Sequence, residues 1–260
     1  MISTTMQNNN RLKKFATFVG VGLFWILVWQ LAYYGVGRDL LLASPLAVLK
    51  RLGSLIVTGS FWIIIATSFW RIMLGFLIGL VIGTVLGILT AASRPARRLL
   101  RLPMNIIKAT PVASFVILAL VWISGRNLST FIGFLMVLPL IHSNVEQGLL
   151  SADPQLLEVA KVYRLTKWQT AKAVYLPAVM PYFLSALRVS LGYAWKAGIA
   201  GEVIAIPRDA IGTQLYNAKV YLETTDLFAW TVVIVVLSIL IEKMLTLLIQ
   251  RAVRRWGGDA

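Results

Sequence analysis

Residues 72–92 read IMLGFLIGLVIGTVLGILTAA, a stretch without a single charged side chain. Crossing a bilayer as a helix takes about 20 apolar residues, because a helix pairs its own amides and an unpaired amide in hydrocarbon costs several kcal/mol. The stretch therefore predicts a membrane-spanning helix. Gly75, Gly79, Gly83 and Gly87 recur at four-residue spacing and are continued by Ala91. That stripe of small residues lets a second helix approach closely, and packing is what holds helices together inside lipid. The facing helix belongs either to this chain or to a second copy of it.

Working outward, five more apolar stretches lie near 15–36, 105–123, 128–148, 179–205 and 227–249. Of the 260 residues 58% are hydrophobic and 13% charged, and the mean hydropathy is +0.80, more apolar than a water-soluble domain sustains. The fold class expected is an all-α membrane protein with six transmembrane helices. The first span carries Trp25, Trp29, Tyr33 and Tyr34 and is too long for a cleaved signal peptide, so it reads as retained. The apolar run over 61–92 exceeds one untilted span, which predicts a bend or surface-lying segment before Arg71. Pro103, Pro111 and Pro139 predict kinks in the third and fourth spans. In the connection over 37–71, Ser44 followed by Pro45 predicts the start of an interfacial helix with Leu49, Leu52 and Ile56 along one face.

A net charge of +15 would suit a nucleic-acid binder, but its distribution follows topology. Arg11, Lys13, Lys14, Arg94, Arg97, Arg98, Arg101, Lys108, Lys161, Arg164, Lys167, Lys172, Arg251, Arg254 and Arg255 fall in alternate connections and tails. The opposite connections hold only Arg38, Lys50, Arg51, Arg126, Arg208 and Lys219. The positive-inside rule then predicts cytoplasmic tails at 1–14 and 251–260 around a permease domain at 15–250, with no nucleic-acid partner. Cysteine is absent, which excludes disulfides and thiol chemistry.

The connection at 151–177 is long, amphipathic and, by the same rule, cytoplasmic. Asp153 with Pro154 predicts the start of one short helix with Leu156, Ala160 and Tyr163 on one face. Thr166 with Gln169 forms a capping box that opens a second, lined by Trp168, Ala171 and Tyr175. This loop resembles the signature of the inner-membrane subunits of binding-protein-dependent ABC importers: Glu-Ala-Ala, three residues, Gly, nine residues, Ile, one residue, Leu-Pro. Glu158-Val159-Ala160 and Val174-Tyr175-Leu176-Pro177 stand at the matching spacing, whereas Arg164 replaces the usual glycine. That departure puts the bend in question, with Leu165-Thr166 as another place to turn.

The resemblance extends over roughly residues 60–250 and is closest to the nitrate, sulfonate and taurine branch. It is carried by Ser68, Arg71, Gly75, Pro181, Leu187-Arg188, Ala194-Trp195, Glu202, Ile211-Gly212 and Asp226-Leu227-Phe228. It implies a type I importer-like permease whose 151–177 loop is a coupling helix docking on a separate ABC ATPase, with Glu158, Val159, Ala160, Tyr163, Arg164 and Leu165 at the interface. It further implies a homodimer, two ATPase copies that use ATP and Mg, an extracytoplasmic solute-binding protein, the bacterial inner membrane, and a small anion as solute. No cofactor is expected in this chain, which has no phosphate-binding Gly-x-x-x-x-Gly-Lys-Ser/Thr motif.

The fifth span contains Arg188, Lys196 and Glu202. An ionisable group inside a membrane costs at least ~2.5–3.5 kcal/mol, so it faces protein or water and often marks a pathway. On an ideal helix Arg188 and Glu202 lie within about 40° of one another and about 21 Å apart, with Trp195 between them and Lys196 to one side. These four are the candidate translocation residues, Lys196 being nearest mid-depth. Arg188 has a second reading, snorkelling to the headgroups. His142, the only histidine, reads as a hydrogen-bonded structural residue. The competing functions are an ion-coupled secondary transporter, which would leave the amphipathic loop without a purpose, and an intramembrane enzyme, for which the spans supply neither paired carboxylates nor a metal cluster.

Overall fold

In the computed structural model the backbone is described over residues 3–256 and side chains at 17 and over 19–251. The basic residues Arg11, Lys13, Lys14, Arg254 and Arg255 of the two expected tails lie outside the described side chains.

The described chain is helical: α1 Ser3–Val36, α2 Pro45–Ile56, α3 Gly59–Ala92, α4 Arg94–Ala109, α5 Val112–Ala119, α6 Gly125–Leu150, α7 Pro154–Val162, α8 Lys167–Thr170, a π-helical turn Ala171–Tyr175, α9 Leu176–Ala205, α10 Ile211–Val220 and α11 Thr224–Trp256. Five of these helices (α1, α3, α6, α9 and α11) are long and apolar enough to cross a membrane. The sixth crossing expected at 105–123 is broken, since α4 and α5 meet at an angle of 103°. The break falls at Thr110–Pro111, where proline removes an amide donor and holds the residue before it in extended backbone (Thr110 ψ 129°). Conversely, α3 runs unbroken for 34 residues, about 51 Å, where a bend before Arg71 was expected. In its first turns Phe61 is buried and stacks on Trp230 of α11 at 5.3 Å.

The core is the packing of α3, α6 and α9. All four stripe glycines of α3 face α6: a Cβ at Gly79 would stand 2.7 Å from Val137 Cβ, and one at Gly87 would stand 2.8 Å from Val145 Cβ. The stripe thus serves packing within the chain. Further along α6, Gly148 meets α9, where a Cβ would lie 2.9 Å from Val179 Cα. The end of the bundle away from the 151–177 loop is closed by α2, which starts as expected with Ser44 Oγ accepting from the Ala47 amide. Arg51 clamps Asp226 of α11 through two hydrogen bonds, the Nη2–Oδ2 one at 2.6 Å. The outer end of α1 is anchored by Trp29, whose indole donates to the Ala43 carbonyl at 3.1 Å and stacks near Phe228. Its apolar stretch over 19–36 is otherwise uncovered.

Candidate coupling loop and translocation face

The loop at 151–177 folds as its local sequence dictates. Asp153 accepts from the Gln155 amide at 2.8 Å and opens α7. The Thr166 capping box is complete, with the Gln169 amide donating to Thr166 Oγ1 and the Thr166 amide donating to Gln169 Oε1. Between the two helices the chain turns at Arg164 itself, whose φ is +50°. The Leu165 amide donates to the Ala160 carbonyl at 2.9 Å and the Arg164 amide to the Lys161 carbonyl at 3.0 Å. That pair of bonds is a Schellman ending with Arg164 in the left-handed position glycine usually fills, a conformation costing a non-glycine residue roughly 1 kcal/mol. The bend survives the substitution because those two bonds and the capping box fix the chain on either side.

The turn leaves an apolar crown outside the bundle. Val162, Tyr163 and Trp168 are 75–79% exposed, and Val159 is half exposed. Glu158, Arg164 and Leu165 are exposed beside them. Ala160, expected at the same interface, is enclosed at 2% exposure, and its carbonyl accepts the Leu165 amide that closes the turn. These large apolar side chains stand exposed together on a cationic, polar loop.

The structure divides the four candidate pathway residues of α9. Arg188 and Lys196 lie on the exposed face, with Ser185, Val189, Tyr193 and Ala200. Trp195 is 2% exposed, its indole donating to the Ile234 carbonyl of α11 at 3.3 Å. Glu202 has no exposure. The C-terminal half of α9 is wrapped by α3, α10 and α11, so a residue aligned with Arg188 on an ideal helix ends inside the subunit. Glu202 Oε2 instead accepts from Ser68 Oγ at 2.8 Å and from the Gly212 amide at 3.2 Å, while Ser68 Oγ accepts from the Ile211 amide at 2.9 Å. These two amides open α10, whose own N-cap, Ala210, has no side chain able to accept. Ser68 of α3 and Glu202 of α9 therefore cap α10 from across the fold. Arg71 closes the same corner, its guanidinium donating to the Arg208 carbonyl, and Thr130 of α6 donates to the Arg71 carbonyl at 2.9 Å.

At the opposite end of the bundle Arg97 pairs with Glu146 at 2.7 Å and donates to the carbonyls of Thr90 and Ala91, the last turn of α3. His142 Nε2 lies 3.1 Å from Thr90 Oγ1 within this cluster. Sequence reasoning missed the cluster, although Arg97 following a helix that ends at Ala92 is the signal that could have found it.

Residues 79–256 match the family model described as the binding-protein-dependent transport system inner membrane component. The SsuC permease protein of Escherichia coli (strain K12), named for aliphatic sulfonate transport, is 31% identical over 92% of this chain and 89% of its own length. The taurine transport system permease protein TauC of the same strain is 25% identical over 89% of this chain and 86% of its own. Among solved structures, a bacterial ABC transporter involved in import of the acidic polysaccharide alginate superposes with a TM-score of 0.65, at 15% identity, over 96% of this chain and 99% of that one. With an all-helical bundle of type I importer permease fold, a capped 151–177 loop and a match over most of its length, the chain belongs to the family of binding-protein-dependent transport system inner membrane components.

Proposed function

We propose that this permease works as a homodimer, driven by two copies of a separate ABC ATPase that use ATP and Mg and supplied by an extracytoplasmic solute-binding protein. Both termini and the 151–177 loop face the cytoplasm. The observation that carries this reading is the apolar crown of Val159, Val162 and Tyr163, held out from the bundle on the capped helix α7. The exposed face of α9 supports a second copy, because Lys196 near mid-span would otherwise meet lipid at a cost of at least ~2.5–3.5 kcal/mol. Two such faces enclosing water would line the pathway with Arg188 and Lys196 from each copy and favour a small anion. The relatives named for aliphatic sulfonates and taurine support a sulfonate-bearing solute, and nitrate is the further small anion that the resemblance implies.

The docking test uses Glu158→Lys with Val162→Asp, since Ala160 is enclosed and its replacement would disturb the loop itself. The tagged native chain should copurify an ATPase in mild detergent, and the double variant should lose it while keeping a monodisperse profile. A native chain that never retains an ATPase would end the importer reading. For the pathway, Lys196→Gln should retain the ATPase and cut uptake of a sulfonate or taurine at least tenfold in proteoliposomes. Uptake at the native rate would remove Lys196 from the pathway.

A further inference from the structure

A groove of about 800 Å³ runs between the last turns of α3, the end of α6 and the start of α9, directly beside the coupling loop. Ile88, Leu149, Met180 and Phe183 make its floor. The one hydroxyl in the α3 wall, Thr84, is already spent on the Leu80 carbonyl at 2.7 Å. Such a floor gives water nothing to bond and accommodates hydrocarbon.

The rim differs. Lys172 lines it, is exposed, and makes no ion pair among the described residues. Trp168 beside it is 78% exposed, an amphipathic ring suited to headgroup depth. The π-helical turn at Ala171–Tyr175 builds this lip, with Ala171, Lys172 and Tyr175 all on the groove. Wide turns of this kind occur mostly at functional sites. The groove includes Ala91 and Ala92, where apolar α3 ends and the basic stretch from Arg94 begins, the change of composition that marks a span leaving hydrocarbon for headgroups.

We propose that this groove binds an anionic glycerophospholipid of the cytoplasmic leaflet, with an acyl chain along Ile88, Met180 and Phe183 and its phosphate on Lys172. Cationic rims between spans select anionic headgroups in this way. Because Trp168 and Lys172 belong to the coupling loop, the lipid braces that loop against α3. The leaflet assignment rests on the cytoplasmic placement of the loop proposed above.

The test uses the permease with its copurifying ATPase in phosphatidylcholine nanodiscs doped with phosphatidylglycerol bearing a diazirine in its acyl chain. After irradiation, label is expected on 84–92 and 171–183 at least fivefold above that on the exposed 74–82 face of α3. Lys172→Glu and Met180→Trp should each lower groove labelling several-fold and leave 74–82 unchanged. The same diazirine on phosphatidylcholine should show no preference for the groove. Groove labelling no higher than at 74–82, insensitivity to both variants, or cross-links there to the ATPase or a second copy would each overturn the proposal. The native chain lacks cysteine, so Glu158→Cys with an impermeant maleimide reports sidedness separately. Groove labelling in a Glu158→Cys chain whose thiol is reached from outside would keep the lipid site and reverse only the leaflet.

Discussion

Gly79→Leu is expected to yield no folded permease. At Gly79 an added Cβ would already stand 2.7 Å from Val137 Cβ and 2.9 Å from the Phe134 carbonyl oxygen, before leucine's remaining carbons are counted. Overpacking costs about 1–3 kcal/mol where neighbouring side chains can yield. Here one neighbour is backbone, so α3 and α6 must separate along their whole contact. The same geometry repeats at Gly83, 2.9 Å from the Leu138 carbonyl, and at Gly87, 2.9 Å from that of His142. Since lipid offers no hydrophobic force to draw separated helices together, the lost close packing is not replaced. Total stabilities of about 5–15 kcal/mol leave little margin. Fluorescence-detected size exclusion of a tagged chain should show the native peak replaced by aggregate. Gly53→Ala, on α2 with open space around it, should elute like the native chain. A native-like peak for Gly79→Leu would mean that α3 and α6 are not in this contact.

The glycine stripe shows where a sequence is legible and where it stops being so. Its spacing announces a close helix contact, because period and residue size are local properties, whereas nothing local says that the partner is α6. The caps at Ser44, Asp153 and Thr166 were readable for the same reason: donor and acceptor sit within three residues. Arg164 was harder, since its left-handed turn is imposed by bonds on either side and its own side chain argues against it. The broken third crossing was signalled by Pro111, but apolar residues on both sides hid a 103° bend from any hydropathy count. On α9, ideal angles grouped Arg188, Trp195 and Glu202, and enclosure by neighbours far away in sequence separated them. Ser68, which receives Glu202, is 134 positions away.

That distant contact sets the second large effect: Glu202→Ala should destabilise the permease by about 3–5 kcal/mol, while Glu202→Gln should lose much less. Removing the carboxylate strands the Ser68 hydroxyl and the Gly212 amide in a corner without solvent, at about 1–3 kcal/mol for each unsatisfied group. The vacated volume adds a cavity term that Gly212, which has no side chain, cannot fill. Glutamine keeps a carbonyl oxygen for both donors. Its amide nitrogen would take the position of Oε1, which has no partner, and Ser129 Oγ, equally unpartnered and buried in the same corner, offers it an acceptor. The ranking is therefore native, then Gln, then Ala. For a chain of this size ~2–4 °C per kcal/mol puts the alanine variant's melting temperature about 10 °C below native. A local readout separates loss of the cap from general loosening: trypsin cleavage after the exposed Arg208 should accelerate in Glu202→Ala before cleavage elsewhere does. An alanine variant that melts at the native temperature would show that the carboxylate's contact with α10 contributes nothing, and Ser68→Ala, which removes both the Ile211 cap and a donor to Glu202, should lower the melting temperature if the corner acts as a unit.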